Sequence, residues 1–126
     1  MYYIHFLKGM KRLKNTEIIK KNYEFKYFFK KGKYYSGKLI EVFIFDSKSE
    51  KNKLGVAVSK KSGGSVVRNQ IKRYIKAAYT DIENMIYNRC NLLIMWKKNI
   101  ESAEASYSGI KEDLIKILKK HGNIKD

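Results

Sequence analysis

Ser59-Lys60-Lys61-Ser62-Gly63-Gly64-Ser65-Val66-Val67-Arg68-Asn69-Gln70-Ile71-Lys72-Arg73-Tyr74-Ile75-Lys76-Ala77-Ala78-Tyr79 reads as a strand end, a glycine turn and a helix with two stripes. From Val66 onward, Val67, Ile71, Tyr74, Ile75 and Ala78 recur at three- and four-residue spacing, which predicts one buried helical face. Arg68, Lys72 and Lys76 form a second row one turn apart, with Asn69 and Arg73 beside it. Neighbouring like charges on a helix repel by roughly a few tenths of a kcal/mol per pair. No acid lies between Lys51 and Lys76 to relieve them, so the row points to an external polyanion. A solvated basic face is the competing reading. Two details weigh against it. Arg68 and Arg73 stand in a lysine-preferring chain and offer the planar fork that suits phosphate. Ser62, Gly63, Gly64 and Ser65 precede the helix, where free backbone amides favour an anion.

The charge distribution carries the same message outward. The 126 residues suit one domain with a modest core, and their net charge is +16. Residues 8–38 contribute +9 and residues 51–76 contribute +8, while 39–50 give −2 and 77–126 only +1. One basic face and one near-neutral half is the pattern of a nucleic-acid binder. A membrane-surface role fits less well, because no long helix pairs a basic face with exposed bulky apolar residues. No run approaches the ~20 apolar residues needed to span a bilayer. Met1 to Leu7 lacks the charged start and small-residue cleavage site of a signal peptide. Cys90 is the single cysteine, so no intrachain disulfide forms and a cytoplasmic location is expected.

Along the chain, Asn22 is expected to cap a helix carrying Phe25, Phe28 and Phe29, with Gly32 just past its end. Phe28 is expected in the core. Leu39 to Phe45 reads as a β-branched and aromatic strand, and Leu54 to Val58 as a strand with one closely approached face. The basic helix is expected to reach Tyr87 or Asn88. Cys90 to Trp96, nearly all apolar, reads as a central strand. Ile110, Leu114, Ile117 and Leu118 form the inner face of a last helix that Gly122 ends. The expected order is helix, two or three strands, helix, strand, helix, an α/β (α+β) two-layer sandwich.

The quoted stretch resembles the protein subunit of bacterial ribonuclease P. That family's strand ends in Ser-Lys-Lys, followed by a Gly-Asn-Ala turn, an Arg-Asn-Arg helix start and Lys-Arg. The counterparts are Ser59-Lys60-Lys61, Gly63-Gly64-Ser65, Arg68-Asn69-Gln70 and Lys72-Arg73. Gly64, Ser65 and Gln70 depart from the pattern, as does Lys76 where arginine is common; Gln70 keeps hydrogen-bonding capacity but loses a charge. Flanking segments match from about Met10 to Gly122. The resemblance implies a domain over 10–122, an N-terminal extension over 1–9 and a tail over 123–126. It also implies the order α-β-β-β-α-β-α and a four-stranded sheet with a left-handed βαβ crossover, where pattern alone suggests the right-handed one.

In function, the resemblance implies a subunit that assists Mg2+-dependent endonucleolytic removal of the 5′ leader from precursor tRNA. The chemistry and its Mg2+ belong to the catalytic RNA. The expected partners are that RNA and precursor tRNA, with no membrane and no obligate protein partner. Lys60, Lys61, Arg68, Asn69, Gln70, Lys72, Arg73 and Lys76 are the expected contacts to catalytic RNA. Phe25, Phe29 and Phe43 fall where the family places aromatics along a central cleft for the leader, with Lys26, Lys30 and Lys33 supplying backbone charge. Base–aromatic stacking of ~1–3 kcal/mol per base grips a single strand with little sequence preference. Core packing is the competing reading for Phe29 and Phe43.

No catalytic constellation emerges from the residues themselves. His5 and His121 sit at opposite ends, and the carboxylates are scattered. Gly63-Gly64 lacks the Walker lysine spacing. A ribosomal or general RNA-binding protein of similar fold is the alternative to the ribonuclease P subunit, and a stand-alone nuclease is the third reading.

Overall fold

Cys90 to Trp96, the apolar run, forms the middle strand of a sheet and is hydrogen-bonded along both edges. The computed structural model describes residues 15–125. Their elements are β1 (Thr16–Ile18), α1 (Asn22–Lys31), β2 (Lys33–Ser36), β3 (Ile40–Asp46), β4 (Asn52–Ala57), α2 (Ser65–Ile82), β5 (Cys90–Trp96) and α3 (Tyr107–His121). The sheet order is β1-β4-β5-β3-β2. β4 runs parallel to both β1 and β5, whereas β3 is antiparallel to β5 and β2 to β3. The sheet therefore has five strands, not four. The added strand, Thr16-Glu17-Ile18, lacks apolar alternation and forms because it pairs with the free edge of β4.

Strand parity sorts the core into two. On β3, Ile40, Val42 and Ile44 are buried in the main cluster with Leu92 and Ile94 of β5, Ile71, Ile75 and Ala78 of α2, and Ile110 and Leu114 of α3. Each buried aliphatic side chain contributes roughly 1.5–3 kcal/mol of transfer free energy. The alternate residues Phe43 and Phe45 turn to the other face, where Phe28 of α1 packs with Ile19 and Leu93. Helices thus cover both faces, correcting the two-layer expectation: α1's aromatics need apolar cover of their own, and the main core is already filled.

Local signals were partly overridden. Asn22 lies inside α1, and Lys21 holds the cap position without a side-chain bond. Helix α2 ends at Ile82 and tightens into a 3-10 turn over Glu83–Met85, short of Tyr87. Gly122 closes α3 at φ 94°, its N–H bonded to the carbonyls of Leu118 and Lys119. Asn123 and Ile124 beyond it are buried, at 1% and 4% exposure. The expected extension over 1–9 lies outside the described residues.

Two buried acids fasten the elements. Asp113 of α3 accepts from the backbone N–H groups of Lys38, Leu39 and Ile40 at 2.8–3.1 Å, capping the β2–β3 hairpin. Gly37 makes room for it, since a Cβ there would lie 2.4 Å from the carboxylate. Glu83 accepts from Asn15 N at 3.2 Å and from the Thr16 hydroxyl, which also meets Tyr79 Oη at 2.9 Å. β1 is thereby tied to the end of α2.

Candidate nucleic-acid interface

Three local features set the start of α2. Ser59 Oγ accepts from Lys61 N at 3.2 Å and shapes the 3-10 turn Lys60–Ser62, which leaves both lysines exposed. Gly63 then adopts φ 148°, a conformation that disfavours any side chain, and a Cβ there would strike Val67. Gly64 caps the helix without a side-chain bond, and no acid stands in the first turn. The helix consequently begins with open amides and the positive end of its dipole beside Lys60 and Lys61. Val66 and Val67 are 79% and 38% exposed, so the buried stripe starts only at Ile71.

The expected row lies together on one flank. Asn69 is exposed; Arg68, Gln70, Lys72, Arg73 and Lys76 are half-buried. Arg68 Nε and Ser62 Oγ are shut from solvent without a hydrogen-bond partner among the described residues. Gln70 Oε1 accepts from Arg73 Nη1 at 3.1 Å, so the departure from the family pattern orients a neighbouring arginine.

The aromatics of the expected cleft divide into two places. Phe29, 46% exposed, meets Phe43 edge-on at 5.0 Å, and Tyr34 tilts onto Phe43 at 5.3 Å. Phe43 faces α1 because its neighbours Val42 and Ile44 take the main core, which settles the strand register. Phe25 lines a separate hollow of about 300 Å³ with Ile18, Ile19, Lys20, Val56, Lys72 and Lys76. Two lysines of the basic helix thus share a wall with an aromatic of α1.

The lysines assigned to that cleft fare differently. Lys26 and Lys30 are exposed on the outer side of α1. Lys33 is on the opposite face of the sheet from Phe43: its Nζ lies 5.5 Å from the Tyr35 ring, which packs on His121. Parity along β2 decides this, and a four-residue strand gave no pattern from which to read it. Sequence reasoning also missed Tyr34 and Lys20. Tyr34 donates to Glu41, and that bond raises its hydroxyl pKa above the ordinary value. A tyrosine two residues past Gly32, opposite an aromatic strand, was the available signal.

A model of the Ribonuclease P family matches residues 13–122. The chain is 40% identical over 104 residues to the ribonuclease P protein component of Clostridium botulinum, covering 82% of this chain and 93% of the relative. Against that of Bacillus cereus it is 36% identical over 111 residues, covering 87% and 95%. The solved Staphylococcus aureus RNase P protein superposes with a TM-score of 0.73 at 27% identity, covering 86% of this chain and 97% of that one.

Proposed function

The chain belongs to the ribonuclease P protein family, subunits of the ribonuclease P ribonucleoprotein, and from that premise we propose how its surface divides the work. Arg68, Asn69, Lys72 and Arg73, with Lys60, Lys61 and Lys76, hold the catalytic RNA. Gln70 serves by positioning Arg73. Phe25, Phe29 and Phe43, with Lys26 and Lys30, grip the single-stranded leader of precursor tRNA by stacking and backbone charge. Lys33 is left out of that grip by the face it occupies.

The carrying observation is the hollow shared by Phe25, Lys72 and Lys76. It joins one of the proposed leader aromatics to the basic helix, so a strand stacked on Phe25 meets Lys72 and Lys76 of α2 directly. Bond breaking belongs to the RNA subunit and its Mg2+. Among the described residues no three His, Cys, Asp or Glu side chains gather to hold a metal ion.

The left-handed crossover belongs to the same reading, and chirality supports it. Leu54 directs its carbonyl to Ile19 N of the β1 side at 2.9 Å and its side chain to the face covered by α2. Seen from its side chain with the strand running upward, an L-residue in a strand points its carbonyl to the right. β1 then lies right of β4 and β5 left, with α2 crossing in front, the reverse of the usual hand.

The test compares precursor binding by enzymes assembled with Phe43→Leu and with the parent chain. Leucine keeps most of the apolar burial and removes the flat stacking surface. The variant is expected to bind catalytic RNA normally yet lose part of its preference for leader-bearing over leaderless tRNA. An unchanged ratio at unchanged stability refutes the leader assignment. Cleavage by the protein without catalytic RNA would move the chemistry onto this chain.

A further inference from the structure

A second groove lies on the other flank of α1. It is about 300 Å³ and is lined by Tyr27, Lys31, Phe45, Asp46, Lys48 and Asn91. Tyr27 stands roughly 200° around the helix from both Phe25 and Phe29, so this groove is separate from the two places those residues line. Its ring is half exposed and is supported edge-on by Phe45 at 5.6 Å, which in turn packs on Phe28 at 4.9 Å. One face of Tyr27 is therefore open on a fixed base. Lys31 and Lys48, both exposed, stand at the rim.

The floor is the unusual part. Asn91 sits on β5, paired with Phe45, and is only 8% exposed. Its Oδ1 is shut from solvent and has no hydrogen-bond partner among the described residues. A carbonyl so placed normally costs stability, and an apolar residue of similar size would suit the site better. Asn91 lines the groove floor, and no hydrogen bond among the described residues holds its amide, which leaves that amide open to a group entering the groove.

We propose that this groove binds one unpaired base of an RNA strand, stacked on Tyr27, with its edge hydrogen-bonded to the Asn91 amide and adjoining phosphates near Lys31 and Lys48. An exposed ring, rim cations and a polar amide on the floor are three elements by which unstacked bases are held. The chain's net charge of +16 favours a polyanion over an acidic small molecule. The inference stands on the groove itself and is independent of the leader assignment.

The experiment titrates the full chain with a short single-stranded RNA, and with the same RNA carrying abasic positions. Ring signals of Tyr27 are followed by NMR and affinity by fluorescence anisotropy. Tyr27 signals are expected to shift with the intact RNA and much less with the abasic one. Tyr27→Ala should weaken binding about tenfold, as loss of one stacked base implies. Asn91→Leu should weaken it severalfold while leaving the melting temperature equal or higher, and Phe43→Leu should leave the Tyr27 shift in place. Unmoved Tyr27 signals at saturating RNA overturn the proposal. So does an Asn91→Leu chain that melts lower but binds RNA unchanged, because that marks the amide as structural.

Discussion

Arg68 illustrates what a single residue can carry. It lies off the buried stripe of Ile71, Ile75 and Ala78, so its side chain is not needed to close the core. Arg68→Ala is expected to weaken binding to the catalytic RNA by ~1–3 kcal/mol, with folding stability changed by less than ~0.5 kcal/mol. Filter binding alongside thermal melts separates the two; an unfolded variant would make Arg68 structural. Cys90 is a contrasting case. Burial, aided by the charge of Asp46, pushes its thiol up to about 12 from an ordinary 9.0. The folded state therefore prefers the protonated thiol. That contribution is fully present below pH 9 and is lost as pH rises toward 12. A thiol reagent at pH 8 should label Cys90 only at the rate of unfolding, and Cys90→Ala should flatten the alkaline fall in stability. Fast labelling of the native chain would contradict the burial.

Among the elements, β5 and α3 were legible in the sequence because each carried a strong period and a clean stop. Cys90 to Trp96 is an unbroken apolar run, and Gly122 supplies the left-handed residue that ends α3. β1 was not legible: three residues without alternation become a strand only through a partner and a clamp supplied from far along the chain. The expected cap at Asn22 failed for a similar reason, since α1 is placed by Phe28 against Leu93 and not by its first turn. The candidate site divides likewise. The α2 row was readable from helical spacing, whereas the side chosen by Lys33 depended on strand parity. Asp113 joins α3 to the β2–β3 hairpin through three backbone donors. Asp113→Ala leaves those donors without a partner and should destabilise the domain by about 3 kcal/mol. Denaturant melts decide it, and RNA affinity of the folded fraction should be unchanged. A loss below ~1 kcal/mol would show that water replaces the carboxylate.

For the whole molecule, the excess charge sits on residues 8–38 and 51–76. If six phosphates are engaged, affinity for the RNA partner should fall ~10³-fold or more between 50 and 200 mM salt. An affinity almost independent of salt would refute the electrostatic reading. The clamp between Glu83 and the first described strand has a further consequence, for synthesis on the ribosome. Asn15 and Thr16 emerge long before their partner; the 68 residues from Asn15 to Glu83 take roughly 3–14 s to make at ~5–20 residues/s. During that interval β1 lacks its carboxylate clamp and, once β4 is made, has only the pairing with that strand to hold Ile18 and Ile19 at the hollow around Phe25. A nascent chain thus completes the hydrogen bonds of its first described strand only after the carboxylate that locks it has been translated.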